Sequence, residues 1–143
     1  MIVDNKILLA SVTEMLAEGK DVVLKTKGGS MMPFIVGDKD SVLLRKEEWG
    51  VGDAVLAHLP NGHYVLHRVQ SLDGDRVTLK GDGNLQGVEH CRKEDIAGRV
   101  VQVLKGDKVV DALDPAYKKK VARWNAKPYL WRRVVLGIKR RLI

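Results

Sequence analysis

The rhythm of apolar and polar positions changes twice along the chain. Over residues 4–18, Ile7, Leu8, Val12, Met15 and Leu16 recur at helical spacing on one side. Asp4 or Asn5 suits the start of that helix, and Gly19 suits its end. From residue 21 the period shortens, and β-rich runs follow at 21–27, 41–46, 53–59, 63–71, 75–80 and 95–105, with a weaker one at 108–111. Asn61-Gly62 and Asp73-Gly74 are hairpin dipeptides, because both central positions tolerate positive φ. Gly37-Asp38, Gly52-Asp53 and Gly81-Asp82 mark further bends. After Asp114-Pro115 helical spacing returns, interrupted at Pro128.

Many short strands joined by tight turns predict a mainly β fold, an antiparallel barrel or sandwich. The organisation reads as an N-terminal amphipathic helix over 1–20, a β domain over 21–113 and a basic helical tail over 114–143. A chain of 143 residues holds one domain-sized core.

Charge sharpens this division. Residues 116–143 carry ten Lys or Arg and no acid, whereas the whole chain is at +7, which leaves residues 1–115 at −3. A nucleic-acid-binding domain would spread its basic residues over a folded face, so nucleic acid is not the expected partner. Within the tail, residues 129–143 place Leu130, Trp131, Val134, Val135, Ile138 and Leu142 on a broad helical face ringed by Arg and Lys. That composition suits an anionic membrane surface, and the same composition suits nucleic-acid phosphates or an acidic partner protein. The alternative is a helix packed on the domain with its basic rim in water. No apolar run reaches the ~20 residues of a spanning helix, and the N-terminus lacks the pattern of a secretory signal. A lone cysteine, Cys91, excludes an internal disulfide and reads as a buried thiol. The expected location is cytoplasmic, with peripheral association at the inner membrane face as the alternative the tail leaves open.

Three segments carry candidate chemistry. Ser30 follows Gly28-Gly29, which lets the backbone turn and approach a substrate closely, and Pro33 prevents a continuing helix or ladder. Met31 and Met32 either hold the loop on the core or line a substrate groove. His67 alternates with Val65 and Val69 on one strand face, where desolvation favours the neutral imidazole that a general base requires. Arg68 points to the other face, expected in solvent or beside a surface acid. A base histidine needs a carboxylate on its second nitrogen. Asp82, in the turn after the next strand, is the first choice, Glu89 the second and Asp38 a distant third; a dyad without an acid also fits. His63 and His67 lie roughly 13 Å apart along a strand, too far to share a metal, and His90-Cys91 lacks zinc spacing.

These segments resemble the boxes of the signal-peptidase-like serine peptidases, in the branch that uses histidine as base. Gly29-Ser30-Met31-Met32-Pro33 with Gly37-Asp38 is similar to the nucleophile box. His67-Arg68-Val69 is similar to the base-bearing box, Lys80-Gly81-Asp82-Gly83-Asn84 to the glycine–aspartate box, and Ile96-Ala97-Gly98-Arg99-Val100 to the strand that closes it. The resemblance covers about residues 24–103, with the boxes in order. It implies a coiled antiparallel β fold of the signal-peptidase/LexA-like type and cleavage of leader or signal-type peptides after small residues, without a cofactor or metal. Ser30 and His67 would be catalytic with Asp82 or Glu89, and Gly28, Gly29, Met31 and Met32 would contact substrate. Three departures stand out. Gly28 replaces the serine that helps hold the oxyanion. The second aspartate of the histidine branch falls at about Val88, beside Glu89. A short amphipathic helix stands where an anchoring span is usual. Two other readings follow: a weak or inactive relative that binds leader peptides, and a membrane- or nucleic-acid-associated regulator acting through its basic tail.

Overall fold

The computed structural model describes residues 2–3, 6–84 and 87–142. In chain order the elements are β1 (Ile2–Val3), α1 (Lys6–Ala17), β2 (Val22–Lys25), β3 (Ser41–Arg45), β4 (Ala54–His58), β5 (Tyr64–Asp73), β6 (Arg76–Lys80), β7 (Glu89–Arg92), β8 (Ile96–Lys105), β9 (Lys108–Asp111), α2 (Pro115–Ala126) and α3 (Tyr129–Leu142). All pairings are antiparallel, and the described strands form one sheet in the order β2-β3-β8-β4-β5-β6-β7, curled into a half-barrel. β1 adds to β5, and β9 to β8. The fold is mainly β.

The pattern of the chain explains the placement of these strands. Ala54-Val55-Leu56-Ala57 is apolar at every position because β4 lies between β8 and β5 and is covered on both faces. Such strands read as continuous apolar runs rather than alternating ones. β5 divides its side chains between two clusters. Tyr64 and Leu66 join the larger one, built from α1, β2, β3 and β8, while Val65 and Val69 join a second with Val77, Leu79 and Cys91.

The helix expected over 4–18 forms over Lys6–Ala17, and Gly19 ends it at φ +85°, its N–H donating to the Leu16 carbonyl. The N-cap expected at Asp4 or Asn5 lies outside the described residues. The buried row is Leu9, Val12 and Leu16, whereas Ile7 and Leu8 are exposed. The sheet meets α1 one residue round from the predicted stripe.

The basic segment forms two helices, and both pack on the body. Asp114 caps α2 by accepting the Ala116 N–H, with Pro115 at its first position. The break between α2 and α3 falls at Pro128. Trp124 and Leu136 are buried against Met32 in a third small cluster. Leu130, Trp131, Val134, Ile138 and Leu142 instead stand 53–80% exposed, a bare apolar row on the outer side of α3. Among the described residues no helix is long and apolar enough to cross a membrane.

Candidate active site

The loop from 26 to 40, between β2 and β3, carries Ser30 and is closed at its base. Thr26 donates both its N–H (3.1 Å) and its hydroxyl (2.7 Å) to the Asp40 carbonyl, and the Asp40 carboxylate accepts the Val36 N–H at 2.7 Å. Gly28 turns the chain at φ +79° just before the serine. Met31 is fully buried in the main cluster and Met32 packs under Trp124 and Leu136, so adjacent side chains pin the loop in two directions.

The glycine–aspartate turn supports this loop from below. The Gly83 N–H donates to the Ser30 carbonyl at 2.8 Å. A Cβ on Gly81 would lie 2.3 Å from the Ser30 carbonyl oxygen, and one on Gly83 would lie 2.5 Å from that of Gly29. Both glycines are therefore explained by how closely the two backbones approach.

His67 reaches the serine from β5. Its Nε2 lies 3.1 Å from Ser30 Oγ, and its Nδ1 meets Glu89 Oε1. With Nδ1–H donating to the carboxylate, Nε2 is left as acceptor for the serine hydroxyl, so the partners assign the tautomer. His67 is 4% exposed, and burial holds its pKa below the usual 6.5 against the opposing pull of Glu89. Burial alone would raise the Glu89 carboxyl, but its hydrogen bond to His67 and the attraction between them bring it below the usual carboxylate range.

Asp82, the first choice for this carboxylate, is engaged elsewhere. It is fully buried and takes Arg68 in a two-pronged pair, Nε to Oδ1 at 2.9 Å and Nη2 to Oδ2 at 2.6 Å. Asn125 Nδ2 adds a bond to Oδ1, and Trp124 Nε1 donates to the Asp82 carbonyl at 2.8 Å. Strand alternation predicts Arg68 in solvent or beside a surface acid; Arg68 is paired with an acid, but both partners are buried. The C-terminal helices cover its face, and the charge of Asp82 raises its pKa despite the burial that opposes it. The pair ties β5, the glycine–aspartate turn and α2 together. Glu89 takes the place at His67 because β7, pairing beside β6, delivers it there. The 89–92 run shows no strand alternation beyond Cys91, so only the register with β6 marks it.

Ser30 stands between two hollows. One, of about 560 Å³, runs between Lys27–Ser30 and the strand side carrying Val65 and His67, with Glu89 at its end. The other, of about 590 Å³, is lined by Gly28, Gly29, Met32, Asn84 and Arg140. Gly28 and Gly29 border both hollows and Met32 one, whereas Met31 lies sealed in the core and serves to hold the loop. Arg140 was not legible as a site residue. Only the packing of α3 brings it to the loop, where Nη2 reaches the Gly83 carbonyl at 3.4 Å. Cys91 is buried, its thiol pushed up to about 11 by burial and then by Asp95, which disfavours the reactive thiolate. Asp38 sits in its turn at φ +68° and borders the second hollow.

No model of a known protein family matches the chain, and no curated protein matches it.

Proposed function

We propose that this protein is a serine endopeptidase of the signal-peptidase-like type, with Ser30 as nucleophile, His67 as general base and Glu89 as the carboxylate that orients it. The observation that carries the reading is the Ser30 Oγ–His67 Nε2 separation of 3.1 Å with Glu89 on the opposite ring nitrogen. Ser30 Oγ attacks the scissile carbonyl while His67 takes its proton. His67 returns that proton to the leaving amine, and water then hydrolyses the acyl-serine with His67 again as base. Gly28 supplies no hydroxyl for the oxyanion. Among the described residues no acceptor takes the Ser30 N–H, which leaves that donor for the developing charge.

An extended leader peptide suits a groove between a strand edge and the serine loop. β2 ends the sheet and offers its open edge for strand addition. The two hollows on either side of Ser30 receive the residues before and after the scissile bond. The test compares protein N-termini in cells carrying the wild-type chain or Ser30→Ala. N-termini that depend on Ser30 identify the substrates. Identical profiles, with no labelling of Ser30 by a fluorophosphonate probe, would sink the peptidase reading in favour of a module that binds leaders without cutting them.

A second reading concerns location. The exposed row Leu130, Trp131, Val134, Ile138 and Leu142, set among Lys and Arg with no acid in the segment, supports docking on an anionic lipid surface. Trp131→Ser with Ile138→Ser is expected to lower co-sedimentation with phosphatidylglycerol vesicles at least fivefold. Equal binding by variant and wild type would remove this reading.

A further inference from the structure

A further cavity lies away from Ser30. It measures about 670 Å³ and lies between the 50–53 turn, β5, β6 and the two C-terminal helices. Its walls combine the apolar side chains of Val51, Val121 and Ala122 with three cations, Lys80, Lys118 and Arg132.

The charge around this cavity is uncompensated. Among the described residues Asp53 is its only lining carboxylate, and both oxygens are already bound: Oδ1 accepts from Arg99 Nη2 at 2.8 Å and Oδ2 from the Gly50 N–H at 2.8 Å. Arg68 also borders the cavity, but its charge is neutralised by Asp82. Among the described residues, Lys80, Lys118 and Arg132 pair with no carboxylate. Arg132 Nε is shut off from solvent and has no hydrogen-bond partner there. A buried donor left unmade is costly, and in a folded protein it calls for a specific explanation. Three like charges bordering one cavity add to that cost, and a bound anion relieves both.

We propose that this cavity is an anion site for a phosphate group, held by Lys80, Lys118 and Arg132, with room along Val51, Val121 and Ala122 for the apolar part of a phosphate ester. Arginine presents a planar fork that matches phosphate oxygens, and the lysines add point charges. The site is independent of the peptidase reading, since neither Ser30 nor His67 borders it. Both a membrane phospholipid headgroup and a soluble phosphate ester carry this chemistry.

The test titrates the full-length chain with inorganic phosphate, followed by calorimetry and by amide shifts of residues 50–53 and 118–125. Lys118→Gln is compared with Lys119→Gln, which removes the same charge one residue away from the cavity wall. Saturable binding with shifts at those residues is expected, weakened at least fivefold by Lys118→Gln and by Arg132→Gln and less than twofold by Lys119→Gln. Absence of saturable binding, or equal losses in the lysine variants, overturns the proposal. A parallel arm uses phosphatidylglycerol vesicles and glycerol 3-phosphate. If Lys118→Gln weakens vesicle binding more than Lys119→Gln does, the source is the lipid. If it weakens only binding of the free ester, the source is soluble.

Discussion

His67 is buried enough to stay neutral and close enough to Ser30 to accept its proton. Both properties come from its place on β5, where one ring nitrogen faces the serine loop and the other faces β7. Because burial lowers its pKa, activity is expected to fall on acidification through a midpoint below 6.5, read from kcat/KM against pH. Glu89 raises that pKa, so Glu89→Gln should move the midpoint lower still while reducing kcat/KM by roughly 10²–10⁴-fold. The stability effect runs in the same pH sense. The Glu89 carboxyl lies below its unfolded value of 4.5 in the folded chain, so its stabilising contribution is complete above that value and is lost as pH falls through the folded pKa. Asp82→Asn separates the two acids. It breaks a buried ion pair, and the expected loss is about 3–5 kcal/mol of unfolding free energy, measured by denaturant titration, with the acid limb of the pH profile moved down less than in Glu89→Gln. The sequence supplied both carboxylates as candidates for one role. Choosing between them required knowing which of them Arg68 meets.

At the scale of elements, the serine loop is held by what lies beneath it. Gly81→Ala puts a methyl group 2.3 Å from the Ser30 carbonyl oxygen, so the backbone there must shift. It should destabilise the chain by about 1–3 kcal/mol and lower activity with it. Gly137 gives the contrast. It lies within α3, and a Cβ there meets nothing within 4 Å, so Gly137→Ala is expected to stabilise by about 0.5–1 kcal/mol. Thermal unfolding of the two variants reads both outcomes. Most elements were legible from pattern alone, and β5, β6, β8 and β9 fall within a few residues of the predicted runs. β7 was not, since only Cys91 of Glu89–Arg92 is buried and a strand with one buried side chain carries no period to read. The same gap concealed the way Glu89 reaches His67.

On the scale of the whole molecule, the basic segment that reads as an appendage is part of the site. α2 holds Asp82 through Trp124 and Asn125, and α3 sets Leu136 on Met32 and Arg140 beside the serine loop. Leu136→Ala should therefore cost about 2–5 kcal/mol and loosen Ser30 as well, seen as a fall in both melting temperature and fluorophosphonate labelling. Ser30 and His67 stand out as candidates only through the resemblance of their segments taken together. The succession of strands along the chain, the turns between them and the helical ends follow from local pattern, because periodicity and glycine or proline turns act within a few residues. Which carboxylate faces His67, the burial of Arg68, the role of Met31 under the loop and the three cations around one cavity do not. Each depends on elements far apart in the chain arriving on the same face, and only the packed fold sets that distance.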